Sequence, residues 1–504
     1  MLQEILNGFD LFLSMQNVLA IVAGMFIGIV IGAIPGLSSS MGIALALPFT
    51  YGMNPISAIL LVVGIYKGGM FAGSISAILI RTPGTPGNIC TLLDGWPLSQ
   101  KGQSRKALDI ALYSSVVADL ASNLALILFA AMIASFALQF GPAEYFWLMT
   151  FSLTIVTSVA GDSLFKGLVS AVLGLLLATV GLDLIYGNPR FTFGMLEFSG
   201  GVSFVPLLIG LFAIPEVIDF YLRKQSGLIH GSRSGSALTL AEFRSCLPTI
   251  FRSSAIGVGI GAIPGVGATA ASFLSYSLAK RSSKHPETYG KGEIDGVAAA
   301  EAGNNAVAGA TLIPLLALGI PGDVVTAVMI GAFLIHGLSI GPSLFQTQGD
   351  TVYAIFFGIM LSSIAMLILG MLSMRLFARI SDIPRHILMP GLLMFCVFGT
   401  YAIQNSHFDI LVMFAAGFLG FFMMKIDLPV PPFLIAFVLG PSFEDNLRRT
   451  ILVAHGDYSV FFNSYICWFF AALTVLSVGY GVLSSRRSGS SVEETAENNT
   501  GHSA

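Results

Sequence analysis

Eleven apolar stretches, most of them close to the length that crosses a bilayer, leave this chain few options. A spanning helix takes about 20 mostly apolar residues. Such runs lie at 55–80, 107–137, 145–160, 167–183, 201–222, 295–318, 351–375, 386–403, 409–424, 430–442 and 461–483. Only structures that satisfy their own backbone cross a membrane, and continuous runs of this kind read as helices. Composition agrees. The 504 residues are 55% apolar and 10% charged, whereas soluble domains carry roughly 25% charged residues. The several soluble domains that this length suggests therefore lack the side chains to coat them. A net charge of −3 with dispersed basic residues gives no nucleic-acid footprint. Cys90, Cys246, Cys396 and Cys467 lie far apart, which implies neither a disulfide framework nor a metal site. The start, MLQEILNGFD, shows no basic n-region, so no removable signal peptide is read there.

Lysine and arginine set the orientation. Placing the basic clusters from Arg81 to Lys425, together with Arg486 and Arg487, in the cytoplasm accounts for 20 of the 24 basic residues. Lys67 lies inside a span, and Arg190, Arg448 and Arg449 are expected outside. Basic loops flank residues 253–279 on both sides, while neither flank of residues 17–50 is basic. Both segments therefore read as re-entrant hairpins. The first enters from outside and turns at Pro35-Gly36; the second enters from the cytoplasm and turns at Pro264-Gly265. Bent backbone at membrane depth is tolerated only where protein covers it or a wet cavity adjoins it.

The two hairpins share sequence. Residues 27–36 (IGIVIGAIPG) and 256–265 (IGVGIGAIPG) agree at eight positions in ten. A second marker follows each: Ala72-Gly73 before Pro83-Gly84, and Ala308-Gly309 before Pro321-Gly322. The expected fold is an all-α polytopic membrane protein of two inverted-topology repeats. Each repeat has a re-entrant hairpin and a broken helix, giving about 11 spans plus two hairpins. The expected organisation is an extracytoplasmic N-terminal segment (1–15), repeat 1 (16–222) and a cytoplasmic basic linker (223–252). Repeat 2 (253–460), a final transmembrane helix (461–483) and a disordered cytoplasmic tail (484–504) follow. Inverted repeats with interrupted helices are the mark of secondary transporters, with the site near the midplane. The competing explanation is glycine-rich helix packing; four paired interruptions favour the transporter.

Each interruption exposes backbone N–H groups that suit an anion. The candidate substrate-binding residues are Pro35, Gly36, Ser38, Ser39 and Ser40 at the first turn, and Pro83, Gly84, Thr85 and Pro86 at the first break. Pro264, Gly265, Gly267 and Thr269 form the second turn, and Pro321 and Gly322 the second break. Ordinary N-capping accounts equally well for the hydroxyls. Glu301, Asn304 and Asn305 share one helix face. They either take a cation, relay a proton or bond another helix. Asp323 is an N-cap or a cation ligand, and Lys67 either offsets substrate charge, or snorkels or pairs structurally. Asp119, Glu216 and Asp219 read as structural residues near helix ends. No GxSxG, HExxH or Walker loop occurs, so no enzyme is expected, and uphill transport would draw on an ion gradient or another subunit.

In combination, GAIPGLSSSMGIALALPFTYGMNP, GSISAILIRTPGTPGN with LLDGWPL, GAIPGVGATAASFLSYSLAKR, EAGNNAVAGATLIPLLALGIPGD and GPSFEDNLRRTI resemble the large membrane subunit of tripartite tricarboxylate transporters, the TctA type. The resemblance covers nearly the whole chain before the tail. The family's GxIPGxG pattern is complete at Gly261–Gly267, whereas the first copy carries Ser38 in place of the last glycine. The resemblance implies a permease of the bacterial inner membrane that imports citrate or other organic acids on a H⁺ or Na⁺ gradient. Its expected partners are a small membrane subunit, a periplasmic solute-binding protein and membrane lipid. No cofactor is expected beyond the coupling ion, and no metal beyond Na⁺. The alternative is an ion channel or cation antiporter that uses the same breaks.

Overall fold

The computed structural model of the chain describes residues 2–34, 36–159, 163–183, 185–222, 235–381, 385–455, 457–479 and 481–482. Pro35, residues 223–234 of the basic linker and the tail from 484 lie outside the described residues. In chain order the helices are α1 (Leu2–Phe12), α2 (Met15–Ala33), α3 (Ser39–Thr50), α4 (Pro55–Ile80), α5 (Leu92–Gln100), α6 (Ser104–Ala137), α7 (Pro142–Val159), α8 (Leu164–Ala178), α9 (Phe204–Leu222) and α10 (Leu240–Gly261). They continue with α11 (Gly267–Ser282), α12 (Ile294–Ala310), α13 (Leu312–Leu318), α14 (Val324–Ile335), α15 (Pro342–Thr347), α16 (Gly349–Ser381), α17 (Arg385–Gln404), α18 (His407–Lys425) and α19 (Val430–Val453). The last is α20 (Tyr465–Gly479). Among the described residues the strands are a single two-residue antiparallel pair, Gly181–Leu182 with Pro189–Arg190.

Each predicted span overlaps a helix; the 167–183 run extends past α8 into the Gly181–Leu182 strand, and the 295–318 run is divided at Thr311 into α12 and α13. α2, α4, α6, α9, α16 and α18 are long and apolar enough to cross a membrane. This is a multi-pass, all-α membrane protein. Local chemistry sets the helix ends. Ser14, Ser38 and Asn54 cap α2, α3 and α4 by accepting backbone N–H bonds. Gly319 closes α13 in the left-handed region, with the Ile320 N–H returning to the Pro314 carbonyl. α10 begins within the segment read as linker, because Thr239 and Glu242 form a reciprocal capping box there.

The chain divides into two compact units, Met1–Leu138 with Phe204–Phe421, and Gln139–Ser203 with Phe422–Ala504. At the heart of the first unit is α4, 94% buried over its most apolar window. It is covered all round, as expected of a helix that is apolar on every face. α2 runs parallel to it at very close range. A Cβ on Gly24, Gly28 or Gly32 would run into the carbonyls of Leu61, Ile65 and Gly69 in turn. Such small-residue stripes let membrane helices meet backbone to backbone. α10 lies parallel to α12 in the same manner, Gly257 against Gly303 and Gly261 against Val307. α11 runs antiparallel to α12: Ala268 lies at the level of Asn304, and the Ser272 hydroxyl donates to the Ala300 carbonyl.

The second unit assembles α7, α8 and α19 around aromatic contacts of Phe146 with Phe443 and Phe461. Among its described residues the arginines are neutralised. Arg190 meets Glu444 at 2.6 Å, Arg448 meets Asp183 at 2.7 Å and Arg449 meets Asp445 at 2.8 Å.

Two predictions test this packing. Gly28→Ala should lower stability by about 2 kcal/mol through overpacking, and Gly52→Ala, with open space around it, should not; thermal unfolding in detergent reads both. The Lys106 ammonium at 2.6 Å, together with the Thr239 N–H and hydroxyl, pulls the Glu242 carboxyl down to about 2. Its stabilising contribution should therefore be complete above the ordinary carboxylate range and fade as pH falls toward 2. Unfolding of Glu242→Gln across that window should lack the dependence.

Candidate functional site

The irregular segments of the first unit converge on the middle of α4 and on α12. The first break (residues 81–91) leaves α4 at Arg81, which adopts a left-handed conformation. The chain then folds back, so that the Gly84 N–H reaches the Gly73 carbonyl at 3.2 Å. Pro86 starts a short 3₁₀ turn, Pro86–Ile89, that carries Asn88 inward. The second break follows α13. There the Gly322 carbonyl accepts from the Gly265 N–H at 2.7 Å, joining the second break to the turn between α10 and α11.

Glu301 stands where the first break, α6 and α12 meet, and it is fully buried. Its Oε1 accepts from Asn88 at 3.1 Å and from the Thr91 hydroxyl. Its Oε2 accepts from Ser115 of α6 at 3.2 Å and from Asn305 at 3.1 Å. All four partners are uncharged, so hydrogen bonds alone hold this buried carboxylate. Thr85 completes the ring by donating to Asn88 Oδ1.

Asn304, one turn along from Glu301, is fully buried, and neither its amide nitrogen nor its oxygen has a hydrogen-bond partner. The amide faces Gly87 of the first break, close to Ala268 at the start of α11. A side chain at Gly87 would displace it. Buried polar groups are nearly always partnered, and this amide, between the first break and the start of α11, is an exception.

The other expected residues take distinct positions. Ser38 caps α3 and bonds Ser40 at 2.9 Å. Ser39 is buried beside Gly69 with its hydroxyl unpartnered. Gly36, Gly265 and Gly267 occupy the left-handed region at the two turns. Pro264, Pro321 and Gly322 are buried, Pro83, Gly84 and Thr269 half-buried, and Pro86 exposed. Pro35 falls outside the described residues. Asp323 caps α14 and accepts from the Tyr66 hydroxyl at 2.6 Å, tying the second break to α4.

Lys67 does not join the Glu301 group. It faces α6, where its ammonium meets Asp119 at 2.8 Å. Asp119 stands in the middle of α6 and not near an end, as sequence suggested, so it is the counter-ion of a buried cation. Sequence reasoning also passed over Thr91, Ser115 and Asp94. Asp94 lies in the LLDGWPL motif and accepts from the backbone N–H groups of Gly290, Gly292 and Glu293, fastening the entry to α12. A carboxylate inside an apolar motif was the available signal.

Glu301→Ala should leave its donors unpaired and destabilise the protein by about 2 kcal/mol. Glu301→Gln, which keeps an acceptor and the side-chain shape, should cost clearly less in the same detergent unfolding assay.

Residues 18–435 match the tripartite tricarboxylate transporter TctA family. An uncharacterised 52.8 kDa protein in the TAR-I ttuC′ 3′ region of Agrobacterium vitis is 36% identical over 483 residues, covering 95% of this chain and 96% of that protein. A second Agrobacterium vitis protein, from the TAR-II ttuC′ 3′ region, is 36% identical over 229 residues, covering 45% of this chain and 95% of its own length. Both breaks, both turns and α12 lie inside the matched region, and the chain belongs to the tripartite tricarboxylate transporter TctA family.

Proposed function

We propose that the chain is the permease subunit of a binding-protein-dependent secondary transporter of the bacterial inner membrane. It imports tricarboxylates or related organic acids on a H⁺ or Na⁺ gradient. A small membrane subunit and a periplasmic solute-binding protein work with it, as its family membership implies. One observation carries the reading: the unpartnered Asn304 amide between the first break and the start of α11. The amide donates to one substrate carboxylate, and the backbone N–H groups at the adjoining helix starts serve the others.

Helix register supports inverted repeats. α4 and α12 run antiparallel, since Tyr66 reaches Thr311 while Asn88 links the Met70 carbonyl to Glu301. Each carries its own helix pair parallel at its side, α2 on α4 and α10 on α12. The two pairs therefore enter from opposite ends. The four turns and breaks all belong to the first unit, which suits an elevator-like alternation of access in which the site travels as one body.

Coupling follows from charge. An ionised Glu301 one helical turn from Asn304 repels a polyanion. Binding a proton or Na⁺ there removes the repulsion, so cation and substrate favour each other. The uncharged ring around Glu301 also suits cation movement alone, as in a channel or antiporter.

Uptake of radiolabelled citrate and a panel of di- and tricarboxylates into vesicles, with imposed pH or Na⁺ gradients and the two partners present, separates these readings. Carboxylate accumulation is expected, and ion flux without it would overturn the assignment. Asn304→Ala should raise the substrate concentration needed by about ten- to hundredfold, the worth of a hydrogen bond to a charged group. Replacing Pro264-Gly265 with Ala-Ala should abolish uptake while the protein still inserts.

A further inference from the structure

The buried ion pair between α4 and α6 has a different design from the Glu301 ring. Lys67 and Asp119 are both fully buried, and the Lys67 ammonium lies 2.8 Å from Asp119 Oδ1 and 2.6 Å from Asn123 Oδ1. The remaining polar atoms hold those two oxygens in place. Asp119 Oδ2 accepts from Ser363 at 2.6 Å and from Asn123 Nδ2 at 3.1 Å. Asn123 Nδ2 also reaches the Ile359 carbonyl at 3.2 Å. A carboxylate and an amide oxygen, oriented by a second layer of hydrogen bonds, are the hard oxygen donors that alkali cations take. A lysine ammonium is a compact point charge of similar demand.

We propose that α4, α6 and α16 frame a monovalent-cation site whose occupant in this chain is its own Lys67 ammonium. A pair kept only for stability is poorly served by such a network. Removing two charges from water is costly, and apolar side chains of similar volume often do as well. The position adds a reason. Tyr66, the preceding residue, holds Asp323 at the second break, and Gly69 lies against Ser39 at the start of α3. A cation at Lys67 therefore sits level with the turns, and its presence sets how α4 rests against α6 and α16. Truncating the amine should vacate the oxygens for a free ion.

The test uses the purified full-length protein in detergent and ²²Na⁺ as the probe. Lys67→Ala should bind one more Na⁺ per chain than wild type, with K⁺ and methylammonium competing. Its thermal midpoint should rise by several degrees when NaCl replaces choline chloride at equal ionic strength. The Lys67→Ala/Asp119→Asn double variant should lose both effects, while the ion response of Glu301 is common to all three proteins. A folded Lys67→Ala that binds no additional Na⁺ overturns the proposal. If Lys67→Ala folds only when NaCl or KCl is present, the site is supported. If it folds with neither salt while Lys67→Met/Asp119→Asn folds, the pair is a structural ion pair and the proposal falls.

Discussion

The hydrogen-bonded carboxylate of Glu301 is the point on which the centre of the first unit depends. Irregular backbone at membrane depth has no water to satisfy it, so protein must cover it. The first break leaves α4, folds back and is fastened through Asn88 and Thr91 to Glu301, while Ser115 brings α6 to the same carboxylate. One acidic side chain thus ties a non-helical segment to two helices. An apolar residue at 301 would leave those donors facing nothing, and the fold-back at Gly84 would lose its anchor.

Close approach of helices makes the rest of this arrangement possible. The Gly24, Gly28 and Gly32 stripe brings α2 against the backbone of α4, and Gly257 with Gly261 does the same for α10 and α12. Because these contacts are backbone to backbone, they occupy little width and leave the other faces of α4 and α12 for polar work. On α4 those faces carry Tyr66 toward Asp323, Lys67 toward Asp119 and Gly73 toward the first break. Glycine-rich packing and interrupted helices, which compete as explanations of the sequence, are two parts of one construction.

Much of the architecture was legible in the residues. Spans announce themselves because hydropathy and length are local properties, and each predicted span overlaps a helix. The Pro-Gly dipeptides marked irregular backbone for a similarly local reason: proline lacks an N–H, and glycine accepts the left-handed region found at Gly36 and Gly265. Glu301, Asn304 and Asn305 stood out as polar residues on one face of an apolar helix. Partners were not legible. Nothing near Lys67 in sequence indicates Asp119, which lies 52 positions away in a helix with its own apolar pattern. Thr91 and Ser115 are small hydroxyl residues that look like any helix neighbour until the chain folds back.

By itself the sequence determined that this is a helical membrane protein with irregular backbone at its Pro-Gly dipeptides, since burial in lipid and backbone satisfaction act residue by residue along the chain. Only the tertiary structure decided what each polar group does. It spent Ser38 and Asp323 as caps, closed Lys67 with Asp119, surrounded Glu301 with neutral donors and left the Asn304 amide without a partner. Hydrogen bonding is short-ranged and directional. The role of a buried side chain is therefore set by which distant segment arrives within about 3 Å of it, and chain order carries no record of that distance.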